Sequence, residues 1–165
     1  MNVQDTSKLI GEEIGNIGVP ALRLALKLCY ANFAVYLFLY ITGMYINVFI
    51  TSGVNTIGIG DPLNIIHMTA ATLNFAFSFI VMIVGLLSGM RKVAIFSLGA
   101  IVSIIVGTVG GLLFLSTGGS RESGGLTLEG GWIMSILFML ALFLSYYATL
   151  KLMRAVRIIE AVNKP

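Results

Sequence analysis

Between Asn64 and Met90 the chain reads NIIHMTAATLNFAFSFIVMIVGLLSGM, 27 residues without a Lys, Arg, Asp or Glu. A helix rises 1.5 Å per residue, so about 20 apolar residues cross the ~30 Å hydrocarbon core of a bilayer. This segment is long enough to cross with some tilt. Three more stretches share its character: Leu28–Thr51, Val93–Ser116 and Trp132–Leu150, each free of charged residues. Of the 165 residues, 58% are hydrophobic and only 10% are charged. Soluble domains carry about 25% charged residues, and this chain lacks the polar surface to solvate a globule. The expectation is an all-α, polytopic integral membrane four-helix bundle. It forms one domain over residues 21–162, after an N-terminal lead (1–20) and ending in a basic tail (151–165).

Charge sets the expected orientation. Four spans place both termini on one side, with Lys8, Arg23, Lys27, Arg91, Lys92, Lys151, Arg154, Arg157 and Lys164. The other side has Arg121 alone, with Asp61, Glu122 and Glu129. The positive-inside rule puts the termini in the cytoplasm (N-in/C-in), in the cytoplasmic membrane of a prokaryote. The net charge of +3 is spread over helix ends rather than gathered in a patch, so nucleic acid is not an expected partner. Basic residues after the fourth span can snorkel to anionic headgroups.

The lead Met1–Pro20 holds Asp5, Glu12 and Glu13 and no apolar run, which does not read as a signal peptide. Lys8, Leu9, Ile10, Ile14 and Ile17 suggest a short surface helix weakened by glycines. Pro20 fits the first turn of the next helix. Asp61 before Pro62 is placed to cap the second span. Gly89, Met90, Arg91 and Lys92 leave only a tight turn between the second and third spans, which makes them antiparallel neighbours. Thr117–Gly131, with six glycines and three charges, reads as an outer loop. Trp132 and Tyr146–Tyr147 stand where an aromatic belt is expected. The lone Cys29 allows no internal disulfide and reads as a small packed residue.

Two polar or small-residue patterns lie inside the spans. Asn32, Tyr36, Gly43 and Asn47 fall near one face of the first helix, and Asn74 lies on the second. A buried Asn in lipid needs a partner, so these faces should look into the bundle. Interhelical hydrogen bonding is the plainer reading, and a polar pathway the sharper one. Gly99, Ser103, Gly107 and Gly111 recur every four residues on the third span. Such a ridge lets helix backbones approach closely, within the chain or against another copy.

Catalytic chemistry is scarce. There is no metal-ligand cluster, nucleophile–base pair, phosphate loop or carboxylate pair, and no charged group inside a span. That argues against a proton-coupled transporter or pump and against a zinc-type hydrolase. Phe49–Gly53 and Phe114–Gly118 leave the first and third spans in similar fashion, as in a tandem pair of hairpins. The repeat places His67, the sole histidine, and Met134 in equivalent first turns. His and Met are a known axial pair for haem iron. His67, Ala71, Asn74 and Ser78 share a face whose small residues leave room for a porphyrin. The interfacial alternative has His67 hydrogen-bonded to Asn64, Asp61 or the outer loop.

The layout resembles the half-size heme A synthases. The resembling residues are Gly43-Met44-Tyr45, Ile66-His67 with Ala70-Ala71, and GTVGGLLFL over Gly107–Leu115, within Val35–Tyr147. The resemblance implies four spans and haem. Of that family's histidines only His67 carries over, with Met134 as the substitute on the fourth span and Asp61 or Glu129 as an outer carboxylate. Three functions follow. An accessory subunit of a larger membrane assembly of respiratory type ranks first, with lipids and further membrane subunits or its own copies as partners. A haem-binding membrane protein comes second. A channel or carrier for a small neutral solute, lined by Asn32, Asn47, Asn74 and Thr residues, comes third.

Overall fold

The computed structural model describes residues 18–50, 60–116 and 125–162, without the side chains of 47–50, 115, 125–132 and 162. Four helices account for nearly all of these: α1 (Val19–Ile50), α2 (Pro62–Leu87), α3 (Arg91–Ser116) and α4 (Gly125–Val162). Each is long and apolar enough to cross a membrane. This is an integral membrane protein built as a four-helix bundle. Large apolar side chains cover its outside; Leu37, Ile95 and Ile136 are each more than 60% exposed. Water would penalise such a surface, but lipid tails are as apolar as the side chains.

Local chemistry explains the helix ends. Asp61 is extended, and its Oδ1 accepts from the Leu63 N–H at 2.9 Å. Pro62 occupies the first turn, where a missing N–H costs nothing. Pro20 does the same for α1. At the other end of α2 the chain reverses over Ser88–Met90. Gly89 takes a φ of 69°, a left-handed conformation open to glycine at little cost. The Ser88 hydroxyl returns to the Val84 carbonyl. A Cβ on Gly85 would stand 2.8 Å from the Ala94 nitrogen, so only glycine lets the α2–α3 hairpin close this tightly.

Helix α1 starts at Val19, with Pro20 in its first turn as the sequence suggested, and so runs on below the uncharged stretch that begins at Leu28. The first residues after Pro20 are strong helix formers, and Leu22 and Ala25 are buried, so packing extends the helix below its uncharged stretch. Helix α4 begins at Gly125, inside the stretch read as a loop, and runs 38 residues. At the opposite end it carries Lys151, Arg154 and Arg157 beyond the apolar window, as the basic pattern suggested. The proposed surface helix in Met1–Ile17, most of the first outer loop, Arg121 and the Asn47 and Trp132 side chains lie outside the described residues. So does much of the Phe49–Gly53 and Phe114–Gly118 comparison.

The helices pack in the ring α1–α2–α3–α4. The α3–α4 seam is the most extensive and α1–α4 the thinnest. The bundle therefore has two ends: a turn end, with Val19, Ser88–Met90 and Val162, and a loop end, with Ile50, Pro62, Ser116 and Gly125. The turn end is filled by Leu22, Ala25, Val81, Val93, Leu152 and Val156. The middle holds a smaller cluster of Tyr36, Ala100 and Ala141.

Candidate ligand-binding site

Toward the loop end the four helices line a half-open cavity of about 610 Å³. Ligand pockets commonly measure about 300–1,000 Å³. Most of its wall is apolar, and a few polar groups stand at two levels.

His67 forms the upper level. Because Asp61 and Pro62 fix the start of α2, His67 sits in its second turn, facing α1. Its Nδ1 is 2.8 Å from the Thr42 hydroxyl. That hydroxyl also lies 2.9 Å from the Phe38 carbonyl, one turn back on α1. The hydroxyl has a single hydrogen, and we assign it to the carbonyl. Nδ1–H then donates to Thr42 Oγ1, and Nε2 keeps its lone pair. A Cβ on Gly43 would stand 3.4 Å from His67 Cε1, so the ring lies against bare α1 backbone. Met134, on α4, lines the same cavity and packs over Gly111 of α3, with Sδ 3.4 Å from the position of a Cβ there. The structure thus brings His67 and Met134 to one chamber.

Asn74 and Tyr36 form the lower level. Asn74 is 1% exposed, and neither its oxygen nor its nitrogen has a hydrogen-bond partner. The Tyr36 hydroxyl lies beside this amide without completing a bond to it. It pairs instead with Ser145 Oγ at 3.3 Å. The Tyr36 ring meets Phe138 edge-on at 5.5 Å. Just below, Asn32 Nδ2 donates to Ser78 Oγ at 3.1 Å, while Asn32 Oδ1 has no partner. Cys29, Asn32, Ser78, Ser97, Ser145 and Thr149 line a void of about 10 Å³ here. That is close to the least volume that admits one water.

The small-residue ridge of α3 faces α4 of the same chain. A Cβ on Gly99 would come within 2.9 Å of Leu144 Cδ1, and one on Gly107 within 3.7 Å of Leu137 Cβ. Ser103 returns its hydroxyl to the Gly99 carbonyl at 2.9 Å. Ser103, Gly107 and Gly111 also line the cavity, so the same ridge leaves space in front of α1 and α2.

The sequence reading missed Thr42, which holds His67, and Ser97, Ser145 and Thr149, which complete the polar layer. Their one signal was polarity within apolar spans. Ser and Thr satisfy themselves by bonding back to the helix carbonyls, as Thr149 does to Ser145, so that signal is weak. No group of three or more His, Cys, Asp or Glu able to hold a metal ion occurs among the described residues. Compared with protein-family models, with curated proteins and with solved structures, the chain matches none.

Proposed function

We propose that this membrane protein binds a flat, mostly apolar molecule in the chamber at its loop end. The carrying observation is the roughly 610 Å³ cavity, apolar in its walls and polar at two levels. The buried cluster of Leu22, Val81, Leu152 and Val156 fills the bundle below it. A chamber blocked at its turn-end side by packed side chains favours holding a molecule over passing one. With seven basic residues at the turn end among the described residues (Arg23, Lys27, Arg91, Lys92, Lys151, Arg154 and Arg157), the chamber opens toward the outer leaflet in our reading. The test is purification of the full chain from native membranes in mild detergent, followed by native mass spectrometry. A small molecule should accompany the wild type and be lost when Ala71→Trp fills the chamber. Wild type and variant carrying the same small-molecule content would refute the proposal. Co-purifying chains, read from the same sample, test the role as a subunit.

A second reading is haem, and the environment of His67 favours it. Protein ligands of metals usually donate their second ring N–H to a fixed partner, as His67 does to Thr42 in our assignment. His67 Nε2 and Met134 Sδ are the donors that would hold the iron, which supplies electron-transfer chemistry when bound. Thr42 orients the ring, and Gly43 and Gly111 leave both side chains room. A Soret band in the purified protein, lost in His67→Ala, would support this reading. A colourless preparation would remove it.

A further inference from the structure

The chamber's lower level carries an unmet demand. Asn74 offers one acceptor and two N–H donors, is almost wholly buried, and has no partner for either. Leaving such a group unpaired in a low-dielectric interior is costly, and a partner that both donates and accepts relieves more of that cost than one that only accepts. The upper level makes a complementary demand: with Nδ1–H committed to Thr42, His67 Nε2 only accepts. His67 and Asn74 are seven residues apart on one face of α2, about 10 Å along its axis. The chamber wall is partly aromatic, with Phe75, Phe138 and the Tyr36 ring. Aromatic faces and edges favour another ring packed offset or edge-on.

We infer that the chamber takes a lipid-soluble ring bearing two hydroxyls on opposite edges, a quinol-type head on an apolar tail. One hydroxyl donates to His67 Nε2. The other meets Asn74 once its carboxamide, closed off from the chamber as it stands, turns toward it, so that Nδ2 donates to the hydroxyl oxygen or Oδ1 accepts its hydrogen. One ring with a hydrogen bond at each end is comparable in length to the roughly 10 Å rise between the two positions on α2. The oxidised ring offers acceptors only and leaves both His67 Nε2 and Asn74 Oδ1 unpaired, so the reduced form is the preferred one. This inference rests on the chamber being a ligand site and names the class of ligand.

Three probes separate the two claims: 2-decyl-1,4-benzenediol kept reduced without oxygen, its dimethyl ether, and decylbenzene. Each is titrated into the full-length protein in detergent and followed by calorimetry. The wild type should bind the diol about tenfold or more tightly than the ether, which cannot donate. In Asn74→Leu that preference should shrink several-fold, while decylbenzene binding persists. Equal binding of diol and ether by the wild type overturns the inference and leaves the chamber standing. Binding of none of the three overturns the chamber itself. The diol–ether comparison needs only wild-type protein, so the test survives a variant that does not fold.

Discussion

The two ends of this bundle use the same kinds of residue to opposite effect. At the turn end, Gly85 brings α2 against the Ala94 backbone, and Ala25 and Ala148 let Leu22, Val81 and Leu152 meet in a filled core. At the loop end, Gly43, Ala71, Gly107 and Gly111 lie around a hollow. Small residues permit close approach, but they close a gap only where something pins the helices together. The three-residue turn at Ser88–Met90 pins α2 to α3. Helix α1 meets α4 along the thinnest seam of the bundle. Toward the loop end Gly43 of α1, Ala71 of α2 and Gly107 and Gly111 of α3 border open space instead of removing it.

This contrast can be broken or sharpened by mutation, starting with the largest effect. Gly85→Val should be the most damaging, because its Cβ would sit 2.8 Å from backbone rather than from a movable side chain. Overpacking of this kind costs about 3 kcal/mol, read as lost resistance to denaturing detergent. Leu152→Ala removes a side chain with no exposed surface from the filled core. In lipid the transfer share of the usual loss is small, so about 2 kcal/mol should remain from lost packing. The matching change at the hollow end, Ala71→Leu, should be neutral or stabilising by about 1 kcal/mol, since it enters empty space. Comparable losses from both changes would erase the distinction between the ends.

Smaller effects come next. Asn74→Leu should raise the stability of ligand-free protein by about 1 kcal/mol, because an unpaired buried amide gives way to an apolar group of similar shape. A lower melting temperature would mean that Asn74 is already satisfied. Arg23→Ala severs the 3.0 Å ion pair with Glu160, which joins α1 to α4 at the turn end. Both partners are well exposed, so the loss should stay below about 0.5 kcal/mol and fade with added salt.

Much of the fold was legible in the sequence, because its causes are local. Four uncharged stretches of bilayer length, the Asp61–Pro62 helix start and the tight turn before Arg91 each follow from neighbouring residues. The site was legible only in part. His67 stood out as the sole histidine, and the periodicity of α2 put Asn74 on its face. The chamber itself depends on how all four helices pack, and a glycine ridge reads the same whether it closes a seam or borders a void. Thr42 left no trace because nothing in an apolar span separates a threonine that bonds its own helix from one that also holds a ring. The early start of α4 was hidden by six glycines that local propensity assigns to a loop.

The central claim is that one half of the bundle is hollow and the other filled. Its most direct test uses the single native thiol, Cys29, which is buried. In a Cys29→Ser background, Ala71→Cys places a thiol on the chamber wall and Val81→Cys places one in the filled core, both on α2 at membrane depth. Alkylation by a small neutral maleimide in detergent-solubilised protein should be about tenfold or more faster at position 71 than at 81, because access governs thiol reactivity. Equal rates at the two positions would contradict the account.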